Sequence, residues 1–452
     1  KPVVVMKSGM TEAGAKAASS HTGSIAGSVE AYRAAFAQAG IVEATSIQEL
    51  FDFSLTLSRI QRIKGGIAIV TNSGGPGVMA ADAIEESGLE LTAFERETME
   101  KLHPLQLANS YNPIDVRGDA TTDKFGTALS IVAEDGYVGA IIAILSPTAP
   151  IEFDKAGNYV MAINAKKPVI PVFMGGETVM SAVEELKKHG IANYFDPVRA
   201  VKSLKAVKDY EERQKRVFEP PPHFNVDTGQ IREQLRHKLG FELLKAYGIP
   251  IPAYGKAETA DEALDIADKI GYPVAMKILS PDIIHKTDVG CVKLNVNREA
   301  VKESFFEIMR RGEKLTTARR IEGVLVQQMV AGGKEVIIGM KRDRHFGPLL
   351  MFGLGGIYVE VFRDVSFRIA PLSMSDAKEM IKNVRAYRIL HGVRGEPMSD
   401  IDSLVNVLLR FSQLCVEFPD ILEADLNPIK VFEYGKGCYV VDFKMISTNS
   451  VF

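Results

Sequence analysis

The chain has 452 residues, long enough for roughly two to four domains. Its hydrophobic share of 46% and charged share of 25% are those of globular protein, and a net charge of −3 leaves no basic footprint for nucleic acid. Cys291, Cys415 and Cys438 lack metal-ligand spacing and argue against a disulfide framework, and no run of about twenty apolar residues spans a membrane, so a cytoplasmic protein is expected.

The chain opens with an apolar strand, Val3 to Met6, so close to Lys1 that the natural polypeptide is expected to begin further upstream. A run of small residues from Ser8 to Ala18 leads to Ser20-His21-Thr22-Gly23-Ser24 and then to a helical pattern carried by Val29, Tyr32, Ala35 and Phe36. A histidine in a small-residue loop ahead of a helix start can carry an anion, because the first amides of a helix are unpaired and its dipole favours negative charge. A phosphoryl group on His21 is one such anion; a plain capping loop is the other reading. A short strand (Gly40 to Ala44) and a helix (Ile47 to Arg62) complete residues 1–64, half of an open α/β domain.

Residues 65–205 form a fuller unit. Gly66-Ile67-Ala68-Ile69-Val70 is the unbroken apolar run of a buried parallel strand. The turn Asn72-Ser73-Gly74-Gly75-Pro76-Gly77 and a helix from Val78 follow. With strands at Gly139–Leu145 and Val169–Met174, the alternation predicts a doubly wound parallel sheet. Gly74, Gly75 and Gly77 fit a phosphate-facing helix start, or simply a tight turn. Residues 206–229, with Pro220-Pro221-Pro222, read as a linker.

From residue 230 the pattern becomes α+β. Lys277 stands on the apolar strand Val274 to Ile278, where an ammonium needs an anion: a nucleotide phosphate or an internal carboxylate. Gln327, Gln328, Met329 and Val330 end another strand and could line a base slot, with Glu335 close behind on a strand expected to pair with it around Gly332-Gly333. Asp425, Asn427 and Asp442 offer hard oxygens at the ends of two closing strands, as Mg²⁺ requires.

With these residues in place the chain resembles the acyl-CoA synthetase (NDP-forming) superfamily, most nearly its ADP-forming acetate–CoA ligase branch, with succinyl-CoA synthetase more distant. Four stretches carry the likeness: residues 20–24, 72–77, 280–290 (Ser-Pro-Asp-Ile-Ile-His-Lys-Thr-Asp-Val-Gly) and Asp425-Leu426-Asn427-Pro428. The resemblance implies flavodoxin-like doubly wound parallel sheets, the first incomplete, followed by an α+β ATP-grasp domain over 230–452. It implies a ligase that interconverts acyl-CoA, ADP and phosphate with a small acid such as acetate, CoA and ATP.

Under it, His21 is the phosphorylated histidine, with Gly23 and Ser24 as phosphate contacts, and His285 is a second relay. Asp425 holds the arriving imidazole in its nucleophilic tautomer. Lys277 binds nucleotide phosphate, and Asn427 and Asp442 bind Mg²⁺. The partners implied are nucleotide, phosphate and a small carboxylic acid, in a homo-oligomer, with neither nucleic acid nor membrane. The family's upstream CoA-binding domain and histidine-orienting glutamate are absent from this sequence. Two further departures are Cys291, where glycine is common, and Phe443-Lys444 after Asp442, where a small residue and arginine are common. The rival readings are a nucleotide- or acyl-CoA-sensing module without turnover and a carboxylate–amine ligase.

Overall fold

A computed structural model of the chain describes residues 1–11, 13–14, 28–215, 219–229, 240–283, 286, 289–316, 320–355, 364–393 and 395–448. It forms two compact units, Lys1–Ser24 with Ala39–Val217, and Ile25–Gln38 with Phe218–Phe452.

In the first unit, β1 (Val4–Met6) pairs in parallel with β2 (Val42–Ala44), Val4 opposite Val42. A second sheet contains β3 (Gly66–Thr71), β4 (Ile114–Asp115), β5 (Val138–Leu145) and β6 (Val169–Phe173), all parallel, in the order β4-β3-β5-β6. Every residue of β3, β5 and β6 is buried, because each face of the sheet meets its own core. Ala68, Val70, Ile141 and Ala143 enter one core, and Ile67, Ile69, Ile142 and Ile144 the other. The strand order reverses between β3 and β5, the crevice where such sheets bind ligands. There Asn72 ties the two following loops together: its Nδ2 donates to the Ser146 carbonyl (2.9 Å) and its Oδ1 accepts from the Ser146 amide (2.8 Å). The helix after β3 spans Gly74–Glu86, so the glycines form its first turn rather than a loop before it. A methyl at Gly77 would stand 2.9 Å from Thr71 Cγ2, which is why this helix needs glycine to lie so close to β3. The last helix, Pro197–Gln214, runs on through Lys205.

The second unit has two sheets. In the smaller, β7 (Tyr254–Ala257), β8 (Val274–Leu279), β9 (Val292–Val296) and β10 (Gly323–Gln328) lie antiparallel in the order β7-β10-β8-β9. Helices Ala260–Ile270 and Val301–Gly312 complete its core, the first opened by a Thr259/Glu262 capping box. The larger contains β11 (Lys334–Asp343), β12 (Gly347–Leu354), β13 (Val365–Ile369), β14 (Ile421–Val431), β15 (Cys438–Val440) and β16 (Phe443–Ser447). Its order is β13-β12-β11-β14-β15, with β16 also on β14. Helix Ile401–Glu417 buries its apolar face against this sheet. Helix Val29–Gln38 places Ala31 and Ala34 against Leu349.

Three local expectations change. β10 and β11 do not form a hairpin: Gly332 and Gly333, both left-handed (φ 74° and 71°), carry the chain from one sheet to the other. β14 begins at Ile421, so Asp425 and Asn427 sit inside a strand rather than ahead of one. The expected linker is docked where it reaches Phe224, whose amide and carbonyl both bond the Gln413 carboxamide (2.7 and 2.8 Å) and whose ring lies under Arg410 (4.1 Å). No helix among the described residues is long and apolar enough to cross a membrane.

Candidate active site

The smaller sheet of the second unit presents Lys277 and Gln327 on one face. Lys277 lies opposite Leu325 and Ala275 opposite Gln327, and residues two apart on a strand share a face. Lys277 is only 6% exposed. Its Nζ donates to the Val441 carbonyl (3.0 Å) and stands 3.5 Å from Asp442 Oδ1. Burial pushes this ammonium below the usual lysine range; Asp442 opposes the shift and Lys286 adds to it. Two lysines thus act on one region where Lys277 meets a single carboxylate, a charge balance that an anion would complete. Gln327 is fully buried, and neither atom of its carboxamide has a partner among the described residues. Such a group costs about 1–3 kcal/mol unless something bonds it.

On the larger sheet Asp425 and Asn427 project from the same face of β14. Asp442 falls in the break between β15 and β16, and its carbonyl accepts from the Asn427 amide (3.1 Å). Burial raises the Asp425 carboxyl above its ordinary range; a hydrogen bond from Asn427 and the charge of Lys444 pull it back, and Asp442 pushes it up. Asp425 Oδ1 is buried without a partner among the described residues. The residue lines a cavity of about 440 Å³ together with Ser28, Gly339, Met351 and Lys444. Gly339 lies opposite both Asp425 and Met351; a methyl there would come 3.3 Å from Met351 Cε and 3.9 Å from Asp425 Oδ1. The glycine keeps open the space beside the unpaired carboxylate oxygen.

Asn427 and Asp442 supply a carboxylate and an amide oxygen, and Asp442 keeps 38% of its side chain exposed. No group of three His, Cys, Asp or Glu gathers for a metal among the described residues. That sparse, hard-oxygen set suits Mg²⁺, which completes its shell from phosphates and water.

The other expected residues divide. Gln328 is exposed with its amide on the Ala253 carbonyl (2.8 Å), and the Met329 amide reaches the Pro273 carbonyl (3.3 Å); both are backbone anchors of the turn leaving β10. Val330 is half-buried beside them. Glu335 is committed to Lys430, its cross-strand neighbour, at 2.7 Å. His21, Gly23, Ser24 and His285 lie outside the described residues. The stretch around His285 is anchored at both ends: Asp282 bonds Arg320 (2.6 Å) and Thr316 (2.5 Å), and the Gly290 carbonyl accepts from Arg311 (2.6 Å). Cys291 belongs to the core of the smaller sheet, its Sγ 3.9 Å from the Val289 carbonyl.

In the first unit the Ser73 cap makes no side-chain hydrogen bond, and a methyl at Gly75 would meet open space. Beside Gly74, however, stands the Asp115 carboxylate, 3.3 Å from where a methyl would be. Gly339 and Ser28 are not among the expected residues, and Lys444 enters the sequence reading as a departure from the family pattern rather than as a site residue. Gly339 carries a signal as a lone glycine in an apolar strand, which often marks a close approach.

Residues 228–446 match the ATP-grasp domain family, and residues 1–57 match the succinyl-CoA ligase like flavodoxin domain. The whole chain is 50% identical to acetate–CoA ligase [ADP-forming] I of Archaeoglobus fulgidus over 469 aligned residues, 67% of that protein. The chain belongs to the ADP-forming acid–CoA ligase family. With 98% of its length it is 37% identical to the 4-hydroxybutyrate–CoA ligase [ADP-forming] of Nitrosopumilus maritimus, covering 66% of it. Over 206 residues, 45% of the chain, it is 47% identical to the beta subunit of acetate–CoA ligase [ADP-forming] I of Pyrococcus furiosus, 88% of which is covered. The chain therefore spans about two thirds of the two longer relatives, and relatives within this ligase family act on different acids.

Proposed function

We propose that the chain performs the phosphoryl-relay part of an ADP-forming acid–CoA ligase, with acetate or a similar short acid as substrate. Phosphate oxygen attacks the thioester carbonyl of acyl-CoA, the C–S bond breaks, and CoA leaves as thiol. The His21 imidazole then takes the phosphoryl group from the acyl phosphate, releasing the carboxylate. His285 receives it in turn, and a terminal phosphate oxygen of ADP accepts it to give ATP; every step runs in either direction. Lys277 binds the nucleotide phosphates, the Gln327 carboxamide finds its missing partner on the nucleotide, and Asp425 bonds the imidazole N–H that arrives beside it. Asn427 and Asp442 would hold Mg²⁺, which neutralises phosphate charge. Transfer of this kind depends on positioning and charge more than on covalent chemistry.

One observation carries the reading. The cavity that Asp425 lines is lined also by Ser28, seven positions after His21. Seven residues span at most about 25 Å, a length of chain that supports a visit of His21 to that cavity. The proposal includes the domain division 1–64, 65–205 and 230–452, a homo-oligomer and a cytoplasmic location. Its test is acid-labile ³²P labelling by [γ-³²P]ATP in the full-length enzyme. His21→Ala abolishes both the label and ligase activity, and His285→Ala slows labelling; retention of both in His21→Ala overturns the mechanism, whereas a wild-type enzyme with neither label nor acid–CoA ligase activity leaves a carboxylate–amine ligase or a sensing module.

A further inference from the structure

A cavity of about 110 Å³ in the first unit contains no residue of the proposed relay. Its wall includes Val169 and Ile170, the first residues of β6, which in a parallel sheet places it at the edge opposite the crevice that follows β3 and β5. Leu55 and Ile60, from the end of helix Ile47–Arg59, and Ile191, just after helix Met180–Lys188, add apolar surface. Tyr194 and Thr56 stand on the same wall with their hydroxyls already spent, both donating to the Asp52 carbonyl (3.2 and 2.8 Å). Among the described residues no Asp or Glu lines the cavity, and the Asp52 carboxylate is taken by Arg199 in two bonds of 2.9 Å.

Two donors on this wall lack an acceptor. The Arg59 guanidinium has no hydrogen bond or ion pair among the described residues. It lies against Gly190, where a methyl would stand 2.8 Å from Arg59 Cζ. Gly190 closes helix Met180–Lys188 in a left-handed conformation (φ 74°), its amide on the Lys187 carbonyl (2.9 Å), and leaves the guanidinium room. The Asn164 carboxamide accepts from the Val169 amide on Oδ1 (3.0 Å), while its Nδ2 has no partner among the described residues. A cation and an amide donor beside an apolar wall, with no competing carboxylate, match an anion that carries a hydrocarbon tail.

We propose that this cavity is a binding site for a short aliphatic carboxylate, with the carboxylate on Arg59 and Asn164 and the tail between Leu55, Ile60, Val169 and Ile191. Size sets the tail: a cavity of about 150 Å³ holds the six carbons of benzene, so one of about 110 Å³ takes about four. An exposed arginine alone holds an anion weakly. The apolar wall supplies the rest, about fourfold in affinity for each methylene taken from water. Free acid bound here meets none of the groups assigned to phosphoryl transfer, so it is sensed rather than processed. The site stands whether or not the relay does.

The test titrates isovalerate by calorimetry into the full-length enzyme, with saturating acetyl-CoA and neither phosphate nor ADP. The reaction's own acyl site is then filled and nothing turns over. Isovalerate should bind in the millimolar range, and acetate, three carbons shorter in the tail, at least about tenfold more weakly. Arg59 is exposed, so Arg59→Gln keeps the fold; it should weaken isovalerate about tenfold, the loss of a charged hydrogen bond. Ala192→Leu, which fills the cavity, should abolish binding, and the uncharged isovaleramide should not displace isovalerate. No heat from isovalerate in the wild-type enzyme, unchanged affinity in Arg59→Gln or in a folded Ala192→Leu, or equal binding of isovaleramide overturns the site.

Discussion

Lys277→Met distinguishes a lysine kept for an anion from one kept for the fold. In the folded chain the ammonium is 6% exposed, with one carbonyl bond at 3.0 Å and one half-exposed carboxylate at 3.5 Å. Burying an ammonium costs several kcal/mol. Its single carbonyl bond returns about 1.5–3 kcal/mol, and the longer contact to Asp442 returns less. Methionine of similar length avoids the desolvation and forfeits those bonds, so stability without ligand should stay level or rise slightly. Function should fall steeply, because a cation on transferring phosphoryl charge in a water-poor site is worth about 3–4 kcal/mol, or 10²–10³-fold in rate. The measurements are thermal melts with and without Mg·ATP and the rate of labelling from [γ-³²P]ATP. The variant should melt near wild type, lose the nucleotide-induced shift and lose the label. A variant destabilised by several kcal/mol that still responds to nucleotide would show that Lys277 serves the fold, and the reasoning fails.

The depressed Lys277 pKa adds a pH signature. Between its folded value and the unfolded 10.5 the unfolded chain binds more protons, so this group makes stability rise with pH in that window, and Lys277→Met should flatten the rise in ligand-free melts. Asp425 has the opposite sign. Its raised folded pKa means the folded state holds the proton more tightly, so its contribution declines as pH climbs from 3.8 through the folded value; Asp425→Asn should remove that decline in melts from pH 3 to 7 while slowing labelling of His21. Gln327→Leu should raise ligand-free stability by about 1–3 kcal/mol, since two unpartnered amide atoms leave the interior, and should weaken nucleotide binding measured by calorimetry. Gly339→Ala places a methyl 3.9 Å from Asp425 Oδ1; phosphoryl transfer should drop at least tenfold with stability within about 1 kcal/mol of wild type, read by labelling rate and urea melts.

Much of the architecture was legible because buried parallel strands announce themselves. Gly66 to Val70 and Gly139 to Leu145 have no polar residue to interrupt them, and both faces of their sheet are covered. The antiparallel sheets were harder. β14 alternates Glu423, Asp425 and Asn427 with buried Ala424 and Leu426, a pattern whose polar half hid the strand. The failed β10–β11 pairing has a similar origin: two glycines between two apolar runs look like a hairpin from either side, and only the sheet partners of each run show otherwise.

The site was legible where a residue conflicted with its surroundings and obscure where it did not. Lys277 on an apolar strand demands an explanation, and the structure leaves the demand partly unmet, with one carboxylate against two lysines. Glu335 is ordinary in both respects; its pairing with Lys430 at 2.7 Å leaves no unmet valence, so it is the weakest of the expected nucleotide contacts. Gly339 and Ser28 act by what they leave open and by where they sit, properties that belong to no residue type. The unmet groups, Lys277, Gln327 and Asp425 Oδ1, are therefore better guides to the ligand than proximity alone. Each costs stability in the folded chain, and on the proposed reading a phosphate, a base or an imidazole would offset that cost.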